Sequence, residues 1–166
     1  MKKITLLLLL FFTLKIVTAQ EEKFKALFLY NFTKNIEWPN VGQTEFEIGI
    51  IGNSNVYDEM LTIAQKGKVG NLPLVIKKYN SIDQIQNSKI IFISNNKNAV
   101  IANAVAKFAS KPVVIVTENS GSTYDGVSIR FVMIDDKLKF EISRKNTQKN
   151  GMKVNSSLFG LGKEIN

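Results

Sequence analysis

Apolar runs at Phe46 to Ile51, Leu72 to Tyr79, Lys89 to Ser94 and Pro112 to Glu118 recur along the chain with helix-like segments between them. This alternation constrains the fold more than any other feature. A strand that is apolar at consecutive positions must be covered on both faces, and strands separated by helices pair in parallel through crossovers. The expected architecture is three-layer α/β, a mostly parallel sheet flanked by helices. The intervening segments fit this scheme: Val56 to Lys66 is stopped by Gly67, a short turn from Ser81 carries Ile82 and Ile85, and Asn98 to Ala109 sets Ile101, Ala104, Val105 and Phe108 on one helical face. Beyond the turn-rich stretch Asn119 to Gly126 the pattern changes. Val127 to Ile134 and Leu138 to Ile142 alternate around Asp135-Asp136, which predicts a C-terminal antiparallel β-hairpin at one edge of the sheet. Ser143 is placed to cap a basic helix with Arg144, Lys145 and Lys149, closed by Gly151, and Asn155 or Ser156 to cap a last apolar turn. With no repeat or linker to divide it, residues 20–166 read as a single domain.

The segment Lys25 to Pro39, KALFLYNFTKNIEWP, predicts an aromatic-rich core helix over Glu21 to Asn35. Phe24, Leu27, Phe28, Phe32 and Ile36 follow the helical period, and Leu29 and Tyr30 widen the stripe. A helix apolar over so much of its circumference is packed on two sides. Asn31, in its middle, is expected either to be hydrogen-bonded inside or to line a small pocket. Pro39 disfavours helix at Trp38 and ends the element.

Before this helix, Lys2 and Lys3 form a basic start, Ile4 to Leu14 an apolar stretch, and Val17-Thr18-Ala19 a small-residue cleavage site ahead of Gln20. Residues 1–19 are therefore expected to be a cleaved signal peptide, since Lys15 interrupts the run before the roughly 20 apolar residues a spanning helix needs. The alternative is a retained anchor. Cleavage would send the protein to the periplasm or the exterior. It would also remove Lys2, Lys3 and Lys15 from the 22 basic residues, leaving 19 against 14 acidic ones, a formal charge of +5. That excess is mild, and no Lys/Arg cluster with interleaved aromatics points to nucleic acid.

The chain contains no His and no Cys. Zinc sites, thiol nucleophiles, Ser-His-Asp triads and redox dithiols need one or both residues, so only carboxylate, Lys or Tyr chemistry remains open. Asp58 with Glu59, and Asp135 with Asp136, are adjacent in sequence, so their side chains diverge and do not form an acid/base pair. No enzyme, metal site or cofactor is expected. Disulfides are excluded as well.

Two candidate binding sites remain. Gly52-Asn53-Ser54-Asn55 follows a strand and opens a helix, so Asn53 and Ser54 are placed to hold an anion or simply to cap. The polar loop from Glu118 follows a parallel strand, and Asn119 joins Asn53 and Ser54 as a candidate ligand residue at the carboxyl edge. Gly67-Lys68-Val69-Gly70 reads as a connector, not a phosphate loop. Near the C-terminus, Leu158, Phe159 and Leu161 are either core residues or an apolar patch that contacts a partner.

KALFLYNFTKNIEWP, FEIGIIG, KIIFIS, VVIVTENSG, and the succession from IRFVMIDDKLKFEIS to NSSLFGL resemble the YfiR-like family of bacterial periplasmic proteins over nearly the whole chain after Ala19. The first motif and the closing FEIS to SSLF arrangement are its most specific parts. The resemblance implies a small periplasmic α/β regulator whose best-understood kind represses an inner-membrane diguanylate cyclase by binding its periplasmic sensor domain. The chain departs from the family in lacking cysteines, in Asp125-Gly126 where a glycine pair is usual, and in ending on Phe159-Gly160-Leu161-Gly162. The leading expectation is a non-catalytic regulator with a membrane-bound signalling partner, as monomer or homodimer. The alternative is a periplasmic protein that binds a small solute at the strand carboxyl edge.

Overall fold

A computed structural model describes residues 20–39, 42–118 and 126–165. The expected signal peptide and Asn119 lie outside the described residues. Helix α1 (residues 20–35) leads directly into β1 (Ile36–Glu37). There follow β2 (Phe46–Ile51), α2 (Val56–Ala64), β3 (Lys68–Val69), β4 (Leu72–Tyr79), β5 (Ile90–Ile93), α3 (Ile101–Lys107) and β6 (Val114–Glu118). The last part holds β7 (Ile129–Ile134), β8 (Lys137–Ser143), α4 (Arg144–Thr147), β9 (Lys153–Val154), α5 (Ser156–Leu161) and β10 (Lys163–Ile165).

The fold is mixed α/β, built on an eight-stranded sheet of order β10-β8-β7-β6-β5-β2-β4-β3. Its central pairs are parallel, from β4 through β2, β5 and β6 to β7, as the continuous apolar runs require. The chain starts in the middle at β2, steps through α2 to β4, then returns past β2 to β5. This reversal creates a topological switch point at the carboxyl ends of β2 and β5.

Successive strand residues point to opposite faces and sort into two cores. Ile48, Ile50, Ile90, Phe92, Val114 and Val116 join α1, α2 and α5 on one face. Ile51, Ile91, Ile93, Val113 and Ile115 join Ile82, Ile85 and α3 on the other. On the first face Phe28 and Phe32 meet Phe140 edge-on, with ring centroids 5.4 and 5.1 Å apart, and Phe32 stacks on Phe131 at 6.1 Å.

Helix α1 is where it was expected, but its buried stripe is rotated. The inward positions are Lys25, Ala26, Leu29, Phe32, Thr33 and Ile36, while Phe24 and Leu27 are exposed. Spacing alone fits either phase, because hydrophobic residues occupy most of the circumference. Asn31 is exposed and its carbonyl accepts a hydrogen bond from Asn35 at 2.9 Å. The helix stops at residue 35, before Pro39 can act, because Ile36 pairs with Val154 and the Asn35 carbonyl accepts the Asn155 N–H at 2.8 Å.

Strands β7 and β8 pair antiparallel, joined by Asp135 and Asp136, both at positive φ (51° and 56°), the conformation of a two-residue turn. They do not form the sheet edge. β10 pairs in parallel with β8, Lys163 opposite Glu141, and takes the outermost place. A three-residue polar strand carries too little periodicity to announce itself in sequence.

Candidate functional site

The switch point is where a doubly wound sheet ordinarily takes a ligand. Here β2 ends at Gly52, whose φ of +106° no L side chain adopts easily, and a Cβ there would collide with Ser94 Oγ. This close approach brings the loops after β2 and β5 together. Asn96 Oδ1 accepts the Asn53 N–H at 3.3 Å, and Asn96 Nδ2 donates back to the Asn53 carbonyl at 3.4 Å. The Asn53 side chain itself faces solvent.

Beside it, the opening of α2 is already served by an anion belonging to the protein. Ser54 Oγ donates to Glu22 Oε2, and the Val56 N–H donates to the same carboxylate oxygen at 3.1 Å. Asn55 stands at the N-cap but makes no side-chain cap. Glu22 of α1 caps α2 in its place, where a carboxylate is favoured by the N-terminal dipole. Ser54 thus takes part in an anion contact as the sequence suggested, with the anion supplied by α1.

One turn further along α1, Lys25 is 5% exposed and lies among three carboxylates. Its Nζ is 2.8 Å from Glu21, 3.0 Å from Glu22 and 2.6 Å from Glu118 at the end of β6. The three ammonium protons are thereby matched. Glu118 Oε2 accepts the Asn95 N–H at 2.6 Å, which ties the loop after β5 into the cluster. Burial by itself would lower the Lys25 pKa, but hydrogen bonds to Glu118 and Glu21 more than reverse it and hold the ammonium charged.

The cleft that remains, about 430 Å³, is lined by Glu22, Asn53, Ser54, Tyr57, Lys78 and Glu118 among others. Three carboxylates around one lysine, with Asp58 and Glu59 in the first turn of α2, make this edge acidic. An incoming anion would have to displace Glu22 against that field. Sequence reasoning missed Glu22 and Lys25, and took Glu118 only as the start of a candidate polar loop. The spacing of Glu21, Glu22 and Lys25 signals a local helical ion pair, but nothing local announces that Glu118 joins it.

The C-terminal residues divide. Leu158 and Phe159 are 1% and 9% exposed and pack into the first core, whereas Leu161 is 62% exposed. Helix α5 is amphipathic and too short to present three apolar residues outward. The Arg144 guanidinium covers Phe159, 3.7 Å from its ring centroid, and forks onto Glu164 at 2.6 and 2.8 Å. Gly162 lies flush on the Phe140 ring with no room for a Cβ, which explains the glycine that ends this helix. A second apolar exposure lies between α1 and the β7–β8 turn, where Phe24, Phe28, Met133 and Leu138 line a groove of about 410 Å³. Among the described residues no helix is long and apolar enough to cross a membrane.

No curated protein matches the chain. The family model for DUF4154, described as YfiR/HmsC-like, matches residues 22–163. That match runs from the α2-capping Glu22 to the first residue of β10, and the chain accordingly belongs to the YfiR/HmsC-like family.

Proposed function

We propose that this protein is a non-catalytic regulator of the bacterial periplasm that binds the periplasmic domain of a membrane-bound signalling protein, of the diguanylate cyclase class. The observation that carries this reading is the family match over residues 22–163. On this reading residues 1–19 are a signal peptide removed on export. The absence of His and Cys from the chain supports a binding role over catalysis. The state of the carboxyl edge favours a protein partner over a small solute, because Glu22, Lys25 and Glu118 satisfy one another where a solute would bind. In this scheme Leu161 makes the partner contact, and Leu158 and Phe159 hold α5 in position from beneath.

The test is affinity capture of the tagged protein from a crosslinked envelope extract of its own host, with Leu161→Glu run in parallel. Recovery of one membrane protein with a signalling domain, depleted roughly tenfold or more by Leu161→Glu at unchanged thermal stability, is the expected result. Enrichment of no membrane protein above a periplasmic control would remove the regulatory reading. It would return attention to a solute at Asn53, Ser54 and Asn119.

A further inference from the structure

Removal of residues 1–19 would leave Gln20 as the first residue, and the hold that the fold has on α1 begins one residue later. Glu21 lies 2.8 Å from Lys25 Nζ, and Glu22 caps α2 while standing 3.0 Å from the same nitrogen. Gln20 stands outside that network. It is helical and exposed, on the rim of the groove that Phe24, Phe28, Met133 and Leu138 line. No side-chain hydrogen bond ties it to another described residue. A cut after Ala19 therefore leaves a terminal glutamine whose side chain is held by none of the described residues.

A glutamine at a chain start carries its own electrophile. The side-chain Cδ is within reach of the α-amine for closure of a five-membered ring, so the attack is intramolecular. The amine nitrogen bonds to Cδ, the Cδ–Nε2 bond breaks, and Nε2 leaves as ammonia with a proton from the amine. The product is a neutral lactam, pyroglutamate, formed with no change of oxidation state. Only the unprotonated amine attacks, and an ordinary α-amine, with a pKa of about 8, is partly unprotonated near neutrality.

The position at the head of α1 favours that product. First-turn N–H groups have no acceptor within a helix, so the terminal nitrogen can give up its protons without breaking a helical hydrogen bond. The ring is of the size that proline brings, and proline is well tolerated in the first turn. An ammonium there would oppose the helix dipole and stand beside Glu21 and Glu22, the carboxylates that hold Lys25. The lactam carries no charge.

We propose that the exported protein begins at Gln20 as pyroglutamate, a modification at the head of α1 on the rim of the apolar groove. This rests on the reading of residues 1–19 as a signal peptide, which the test addresses separately. The consequence is an uncharged chain start beside the groove, closed to aminopeptidases that need an α-amine.

The test is intact-mass and amino-terminal peptide mass spectrometry of the full gene product, tagged at its C-terminus and recovered from the envelope of its own host. A chain of residues 20–166, released from a fusion partner in vitro and carried through the same preparation, measures the cyclisation that handling alone produces. The expected product is residues 20–166 lighter by one ammonia, in most molecules and in clear excess over the handled control. Aminopeptidase should leave it intact until a pyroglutamyl peptidase has acted. Gln20→Ala in the full gene product should start at the same position without the mass loss. A chain that begins at Gln20 with an unmodified amine, or is cyclised no further than the handled control, would overturn the modification and leave the export reading standing. A chain that keeps residues 1–19 would overturn both, and one cut at another position would overturn the modification alone.

Discussion

The two ends of the sheet solve the same electrostatic problem in opposite ways. At the carboxyl edge the buried Lys25 has three carboxylates within 3.0 Å, and the N-terminus of α2 has its anion in Glu22. At the amino edge the buried charge is a carboxylate, Glu47, and Lys77, Tyr79 and Ser88 donate to it. Position in an α/β fold therefore does not by itself say where a ligand binds. The switch point is the usual place, but here α1 lies across it and brings its own charges.

The sharpest way to break this comparison is to remove the centre of the carboxyl-edge cluster. Lys25→Met leaves Glu21, Glu22 and Glu118 facing one another without a cation, and is expected to cost about 3–5 kcal/mol in urea unfolding, as breaking a buried pair does. Adding Glu118→Gln should recover part of that loss. A strictly additive double mutant would show that Lys25 and Glu118 are not coupled.

Next in size is Glu47→Gln at the amino edge, expected to cost about 1–3 kcal/mol near neutral pH, because Lys77, Tyr79 and Ser88 lose a charged acceptor. Burial raises the Glu47 pKa, but the hydrogen bonds from Lys77, Ser88 and Tyr79 outweigh it and hold the carboxyl below its ordinary value of 4.5. A depressed carboxyl pKa stabilises the fold above the unfolded value, and that contribution disappears as pH falls through the folded one. Stability should accordingly drop below about pH 4.5, with a shallower slope in Glu47→Gln. Glu141, held low by Arg130 against its own burial, retains a slope in that variant.

Glu22→Gln tests the cap. It keeps the shape and removes the charge at the start of α2, with an expected loss of about 1 kcal/mol in chemical denaturation and faster amide exchange at Val56.

Much of this architecture was legible beforehand, because it rests on local patterns. FEIGII, apolar but for Glu47, and KIIFIS, apolar from Ile90 to Ile93, both became strands flanked by parallel neighbours. Ser143 and Asn155 were identifiable as caps and accept the Asn146 and Ser157 N–H groups at 3.3 and 3.0 Å. Less visible was which face of a mostly apolar helix turns inward, so α1 is rotated from the expected phase and Phe24 lies outside. Strands β1, β3, β9 and β10 escaped notice, β3 lying inside the Gly67 to Gly70 connector, because two or three residues cannot display a period. The candidate sites were harder still. Ser54 was singled out, but Glu22 lies 32 residues away from it, and Lys25 lies 93 residues from Glu118.

By itself the sequence determined the mostly parallel α/β sheet, the chemistry closed to a chain without His or Cys, and the family. Each depends on residue type and short-range order, which survive without knowledge of the neighbours. Only the tertiary structure decided that α1 closes the switch point, that Leu158 and Phe159 lie beneath the surface Leu161 presents, and that the buried Glu47 is met by Lys77, Tyr79 and Ser88. Those outcomes depend on which side chains the strand order and the helices bring together across long stretches of sequence. Within about 3–4 Å a carboxylate and an ammonium taken from water offset one another's burial, as Glu118 and Lys25 do.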